Sequence, residues 1–173
     1  EDARVLQAAQ AAGDERIAHP VLIGRPELID ARIQKLGLRL RPGVNCESVN
    51  VNSDARYREA WTEYYQLAKR DGVTRAQAQE EMRSRTTLIA AILLRRGDGD
   101  AMLCGTTGNY LEHLKFVRRV IGKRPGVRNF AAMQMLILPD RQLFVCDTHV
   151  NVDPDAEQIA ALPLLAAEQL QRF

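Results

Sequence analysis

The chain has 173 residues, of which 46% are hydrophobic and 27% charged, as in an ordinary globular protein with one main core. Its formal net charge of +2 is too small to indicate nucleic acid or an acidic membrane surface as a partner. No apolar run approaches the roughly 20 residues that a membrane-spanning helix needs.

The cysteines argue against a metal site. Cys46, Cys104 and Cys146 are widely spaced, form no CxxC motif and have no histidine at metal-binding distance in the sequence. We therefore expect three buried, reduced thiols and a cytoplasmic protein.

In chain order, helices first alternate with short strands. The pattern predicts a helix over 2–12, a strand over 20–23, a helix over 27–35 that follows Pro26, and an edge strand over 44–51.

An aromatic helix comes next. Asp54 is predicted to cap this helix, which ends at Lys69 and carries Tyr57, Trp61, Tyr64 and Tyr65. Aromatic residues at this spacing favour a role in the core or in an interface over a stacking platform.

Two further helices precede the middle of the chain. Thr74 and Gln77 fit a capping box for an exposed helix over 75–82, and a strongly apolar helix is predicted over 86–94.

The most informative stretch covers residues 100–122. The apolar run 101–104 predicts a buried parallel strand, and the turn Gly-Thr-Thr-Gly follows it. Asn109 is a plausible cap for a helix that ends before Gly122, with an apolar stripe of Tyr110, Leu114, Val117 and Ile121.

Such a strand–turn–helix can bind an anion, because free backbone N–H groups and the positive dipole end meet at the start of the helix. Lys115 and Arg118 could then reach a bound phosphate or could simply be solvated. The alternative is a tight connection without a ligand, since no Walker or dinucleotide fingerprint is present.

The last third of the chain predicts an antiparallel hairpin. Strands over 129–138 and 142–146 flank a turn at Pro139 and Asp140, and a polar loop over 147–155 follows. Asp155 is predicted to cap a final helix that runs to Phe173 and is kinked at Pro163.

Together these elements predict the α/β class, with a mostly parallel sheet flanked by helices and an antiparallel hairpin near 129–146. The first and last helices each lack a neighbouring strand in the sequence, so we expect a segment of a larger protein.

The titratable residues form no recognisable catalytic motif. His19, His113 and His149 lie on separate predicted elements, and no G-x-S-x-G motif is present. His149 would share a sheet edge with the central turn only if the 142–146 strand ran parallel to 101–104. Asp147 and Asn151 are more typical of turn and capping residues than of a cation site.

Four stretches go beyond these patterns: VLIGRPELIDARIQKLGLRLRPGV, NVNSDARYREAWTEYYQLAKRDGVT, DAMLCGTTGNYLEHLKFVRRVIGKRPGV and CDTHVNVDPDAEQIA. In this order they resemble the phosphotransacetylase-like C-terminal region of bacterial NADP-dependent malic enzymes, within the phosphate acetyl/butyryltransferase family. The resemblance implies the first domain of the phosphotransacetylase fold, with a strand before residue 2 and a second lobe after Phe173.

The resemblance also implies that acetyl transfer has been lost. Catalytic members carry two arginines here, one after a Tyr-x-Leu motif and one in a Thr-Leu-Arg-Pro motif. Ala68 follows the matching Tyr-Gln-Leu, and Lys115 stands in the matching His-Leu-Lys-Phe. Neither replaces the bidentate phosphate contact of a guanidinium group. The family's catalytic serine and aspartate would lie beyond Phe173.

The function implied is a non-catalytic domain that binds acetyl-CoA and regulates an N-terminal malic-enzyme region within a homo-oligomer. That region would oxidise and decarboxylate malate to pyruvate with NADP and Mg or Mn. No metal or catalytic residue is expected in this segment. The expected acetyl-CoA or anion site comprises Thr106, Thr107, Gly108, Asn109, Tyr110 and Lys115.

Two alternatives remain open. The domain could be an active phosphate acetyltransferase, which would move acetyl groups between coenzyme A and phosphate. It could instead be only an oligomerisation module, with the aromatic helix around Trp61 as its interface.

Overall fold

The computed structural model describes residues 2–50, 53 and 55–171, without the side chains of residues 55–58. The described residues form two units, one up to Gly122 and one from Lys123 onward. The predicted cap Asp54 and the predicted helix end at Phe173 lie outside the described residues.

The first unit contains two strands, six α-helices and a 3₁₀ turn within its described residues. In chain order these are α1 (Ala3–Asp14), β1 (Val21–Gly24), α2 (Pro26–Lys35), β2 (Glu47–Asn50), α3 (Ala55–Ala68), the 3₁₀ turn Lys69–Asp71, α4 (Arg75–Ser84), α5 (Thr86–Arg96) and α6 (Tyr110–Val120).

The two strands of this unit are parallel. Val21 of β1 lies opposite Glu47 of β2, and Gly24 lies opposite Asn50. The second unit contains β3 (Met133–Ile137), β4 (Gln142–Cys146) and α7 (Ala156–Leu170). β3 and β4 form an antiparallel hairpin, so the α/β class and the predicted hairpin are confirmed.

Local capping signals fix several helix ends. Thr74 Oγ1 accepts a hydrogen bond from the Gln77 N–H, and the Gln77 side chain accepts one from the Thr74 N–H, which confirms the predicted capping box. Asp155 and Gln158 form the same arrangement at the start of α7. Pro163 lies inside α7, as predicted.

The predicted strand over 101–104 does not form. Leu103 is 99% exposed, and within the described part of the chain this segment belongs to no sheet. A strand needs a neighbour to pair its backbone N–H and C=O groups, so an apolar run alone was insufficient to predict one.

The core of the first unit consists of two clusters. The larger lies among α3, α4, α5 and α6 and includes Tyr64, Met82, Leu88, Ile92, Phe116 and Val120. The smaller lies around α1, α2 and β1 and includes Leu6, Leu22, Ile29, Ile33, Leu40 and Cys46. Tyr64 is fully buried, which places this aromatic residue of α3 in the core.

The sequence predicted the wrong buried face for α6. Phe116 and Val120 are the buried residues of this helix, whereas Tyr110 is 47% and Ile121 39% exposed. The helix has apolar side chains over a wide arc, and its packing against α5 determines which part of that arc is buried.

The expectation of three buried thiols holds only for Cys46. All three cysteines are free, but Cys104 and Cys146 are exposed. Cys104 lies in the segment that forms no strand, and Cys146 ends a hairpin whose apolar side chains are largely exposed.

In the second unit, Asp147 organises the loop after β4. Its carboxylate accepts hydrogen bonds from the Ala132 N–H at 2.7 Å and from the Asn151 N–H at 2.9 Å. Asp147 and Asn151 are therefore turn residues, as the sequence favoured. The expected proximity of His149 to the turn Gly-Thr-Thr-Gly depended on a strand over 101–104, and that strand does not form.

None of the helices described is both long enough and apolar enough to cross a bilayer.

Candidate functional site

The turn between residues 104 and 110 has an unusual backbone. Gly105 and Gly108 have φ values of +127° and +93°, and Thr106 between them has a φ of +65°. Glycine adopts positive φ readily, but threonine does so only where its surroundings hold it. The Thr106 hydroxyl donates a hydrogen bond to the Gly105 carbonyl at 2.7 Å.

Asn109 begins α6 as the sequence predicted. Its side-chain oxygen accepts a hydrogen bond from the Leu111 N–H at 2.8 Å, which satisfies one of the free N–H groups at the helix start. Glu112 lies in this first turn and pairs with Arg85 at 3.4 Å. The carboxylate of Glu112 shares the positive end of the helix dipole with any anion that binds there.

The His113 side chain joins the turn to α5. Its Nδ1 atom lies 2.6 Å from the Thr87 hydroxyl, and its Nε2 atom lies 2.8 Å from the Thr107 carbonyl oxygen. A Cβ atom added at Gly108 would come within 2.9 Å of the same Nε2 atom. The turn therefore accepts only glycine at position 108 while His113 keeps this position.

A basic groove of about 390 Å³ runs along the outer side of α6. It is lined by Asp71, Leu111, Leu114, Lys115, Arg118 and Arg119. Three cations and one carboxylate give it a positive charge, and the two leucines add apolar surface. Such a lining suits a ligand that carries both an anion and an apolar group.

Arg119 connects this groove to a buried polar network. Its guanidinium donates to the Tyr64 hydroxyl at 2.9 Å and pairs with Asp71 at 3.4 Å. The Tyr64 hydroxyl in turn donates to Glu81. Burial, followed by the hydrogen bond to Glu81, raises the pKa of Tyr64 to about 12.

The structure brings five of the six expected site residues together and separates the sixth. Thr106, Thr107, Gly108, Asn109 and Tyr110 form the exposed turn and the start of α6. Lys115 lies in the basic groove, with its ammonium group 5.6 Å from the centre of the Phe116 ring. None of the turn residues lines that groove.

Sequence reasoning missed the contribution of His113 and Thr87 to this region. They are 26 residues apart in the sequence, on different helices, and no local pattern relates them. As for cations, the described residues contain no group of three His, Cys, Asp or Glu side chains that could hold a metal ion.

Comparison with known proteins assigns the family. The family model described as phosphate acetyl/butaryl transferase matches residues 1–173. The chain therefore belongs to the phosphate acetyl/butaryl transferase family, as the four motifs indicated.

Within that family, the chain is similar to one part of malic enzymes. It is 51% identical over 173 residues to the NADP-dependent malic enzyme of Escherichia coli (strain K12) and 44% identical over 173 residues to the NAD-dependent malic enzyme of Rhizobium meliloti (strain 1021). These matches cover the whole chain but only 23% and 22% of the relatives, so the chain spans less than a quarter of their length. It is a phosphotransacetylase-like domain of the kind that malic enzymes contain.

A solved structure supports the fold. The phosphotransacetylase from Streptococcus pyogenes superimposes with a TM-score of 0.80 over 93% of this chain and 48% of that chain, at 21% identity. The described architecture is thus that of a phosphotransacetylase.

Proposed function

We propose that this chain is the acetyl-CoA-binding regulatory domain of an NADP-dependent malic enzyme and does not itself catalyse acetyl transfer. The observation that carries the proposal is the 51% identity to such an enzyme over the entire chain. The malate chemistry belongs in this proposal to an N-terminal region of the same polypeptide, which uses NADP and Mg or Mn in the cytoplasm. One of the similar relatives is named an NAD-dependent malic enzyme.

The two positions that carry arginine in catalytic family members support the loss of transfer. Ala68 is fully buried in the larger core cluster and offers no polar group to a substrate. Lys115 retains a positive charge but lacks the planar pair of donors that grips a phosphate.

The turn and the basic groove support binding of a phosphorylated ligand. The turn leads into the N-terminus of an 11-residue helix, where the dipole favours negative charge. The groove places Lys115, Arg118 and Arg119 beside two leucines. Acetyl-CoA offers phosphates to the cations and an adenine ring to the apolar surface.

In this proposal, acetyl-CoA acts as an effector. Its binding is coupled to the malic-enzyme site by a difference in affinity between two states of a homo-oligomer. The effector therefore changes the malate oxidation rate without taking part in the chemistry.

The test measures malic-enzyme activity of the full-length protein with and without acetyl-CoA. Wild type is compared with Asn109→Ala, with Lys115→Ala, and with Lys35→Ala as a control in which an exposed lysine of α2 is removed. We expect acetyl-CoA to change the rate of wild type and of Lys35→Ala, and the response to be lost in Asn109→Ala and Lys115→Ala. If wild type does not respond to acetyl-CoA, the regulatory proposal is wrong.

Membership of a transferase family favours a second candidate, an active phosphate acetyltransferase. The assay for it supplies acetyl-CoA and inorganic phosphate to the full-length protein and measures acetyl phosphate. Because both arginines are replaced, we expect no acetyl phosphate above the amount that forms without enzyme. Sustained formation of acetyl phosphate would make the transferase reading the correct one.

A further inference from the structure

We propose that His113 is the positioning residue of the turn over 105–109, which its Nε2–H group joins to α5. This inference rests on the proposed function for the ligand that the turn binds, but its structural part is tested separately.

The hydrogen-bond partner of Nε2 fixes one proton of the ring. The Thr107 carbonyl oxygen can only accept, so the Nε2 atom at 2.8 Å must donate. The Nδ1 atom lies 2.6 Å from the Thr87 hydroxyl, which can donate or accept in this hydrogen bond. One imidazole thereby connects α5 to the backbone of the turn.

The anchor on α5 is well placed to be rigid. Thr87 is only 5% exposed and lies among the buried residues of a helix that contributes most of its side chains to the core. A hydrogen bond to a fixed, desolvated partner restrains the ring more than one to a mobile surface side chain.

Cys104 adds a second attachment at the same hydroxyl. Although Cys104 is exposed as a whole residue, desolvation of its thiol raises the pKa, and a hydrogen bond with Thr87 acts in the opposite direction. Thr87 therefore interacts directly with Cys104 and, through His113, with Thr107.

Gly108 completes the argument for positioning. Its φ of +93° and the 2.9 Å approach of a would-be Cβ atom to His113 Nε2 show that the ring and the turn fit each other closely. Thr106 keeps its left-handed conformation within this restrained segment. Without the ring, we expect the turn to sample other conformations and to present Thr106, Thr107 and the start of α6 less favourably to an anion.

The experiment uses the full-length protein and three variants. His113→Phe keeps an aromatic ring but removes both hydrogen bonds. Thr87→Val keeps the side-chain shape but removes the hydroxyl, and Thr87→Ser is the matched control that retains it. Amide hydrogen exchange of the peptide over 103–112 is followed by mass spectrometry, and the acetyl-CoA concentration for half-maximal response is measured in parallel.

We expect exchange in this peptide to be faster in His113→Phe and Thr87→Val by roughly 2- to 10-fold for each hydrogen bond lost, and unchanged in Thr87→Ser. The half-maximal acetyl-CoA concentration should likewise rise in His113→Phe and Thr87→Val and stay unchanged in Thr87→Ser. Equal exchange in all four proteins would overturn the positioning role, as would a Thr87→Ser variant that behaves like Thr87→Val. If wild type shows no acetyl-CoA response, the proposed function fails, while the exchange rates still decide the role of His113.

Discussion

At the scale of single residues, Gly108 is a position where we expect little change to be tolerated. An alanine at this position would have to adopt a positive φ, and its Cβ atom would clash with the hydrogen-bonded ring of His113. We expect Gly108→Ala to lower the free energy of unfolding by about 1–2 kcal/mol from backbone strain, and by about 1 kcal/mol more from the lost hydrogen bond to Thr107. Urea denaturation of the 173-residue chain measures the change.

Gly122 provides the control, because its φ is +72° but nothing lies within 4 Å of its would-be Cβ atom. Gly122→Ala should therefore lower the free energy of unfolding by the backbone-strain contribution alone, without the contribution from a lost hydrogen bond. In a His113→Ala background, Gly108→Ala should cost no more than Gly122→Ala. Equal costs of the two glycine substitutions in the wild-type background would contradict the close fit.

Residue-scale features were predictable from sequence only where they are local. The caps at Thr74, Asn109 and Asp155 follow from residue types within three positions of the helix start, and all three are confirmed. The link between His113 and Thr87 depends on how two helices pack, and no short-range pattern carries that information.

At the scale of elements, three helices meet at one buried hydroxyl. Tyr64 belongs to α3, Glu81 to α4 and Arg119 to α6, and their side chains are hydrogen-bonded through the Tyr64 oxygen. The network holds α6 at its C-terminal half, while His113 holds it near its start. The helix that carries the candidate site is therefore attached at two separate points.

This network predicts a specific alkaline transition. The pKa of Tyr64 is 10.0 in its ordinary state and about 12 in the folded chain, so between these values the folded state keeps a proton that the unfolded state releases. The corresponding stability is fully present below pH 10.0 and is lost as the pH rises to about 12. We expect a loss of about 2–3 kcal/mol over this range.

Tyr64→Phe isolates the effect, because the other tyrosines ionise in both proteins. The variant should be less stable at neutral pH, since Glu81 and Arg119 lose their partner, but its stability should fall less steeply through the alkaline range. Urea unfolding at a series of alkaline pH values measures both slopes. Parallel slopes would mean that Tyr64 titrates normally.

Most elements could be predicted from periodicity, and the exceptions share one cause. The segment 101–104 has the composition of a buried strand but has no strand partner among the described residues. The buried face of α6 was misassigned because Tyr110 and Ile121 also carry large apolar groups, yet they are exposed whereas Phe116 and Val120 are buried. In both cases the outcome depends on which neighbour is present, and the element's own residues do not specify it.

At the scale of the whole molecule, the position of Trp61 bears on the oligomerisation alternative. Trp61 is partly buried and packs against the larger core cluster, so it supports the fold of the first unit. We expect Trp61→Ala to lower the free energy of unfolding by up to about 3 kcal/mol without changing the assembly state at temperatures where the protein is folded. Denaturation of the full-length protein measures the change in stability, and analytical ultracentrifugation measures its assembly state.

Leu111→Ala is the companion variant, because Leu111 is 63% exposed and lies outside the core clusters. It should leave stability nearly unchanged. Dissociation of the oligomer by Trp61→Ala, with normal stability and an intact acetyl-CoA response, would instead favour an oligomerisation module.

The contact between Gly108 and His113 has a consequence for the evolution of this branch of the family. A side chain at position 108 would meet the ring, and a ring at position 113 without Thr87 would lack its partner on α5. The three positions should therefore be inherited together, so that lineages which lose the histidine are free to replace the threonine and lose one of the two reasons for a glycine at position 108. Covariation of 87, 108 and 113 would then distinguish members that use this restrained turn from members that hold the same segment by other means.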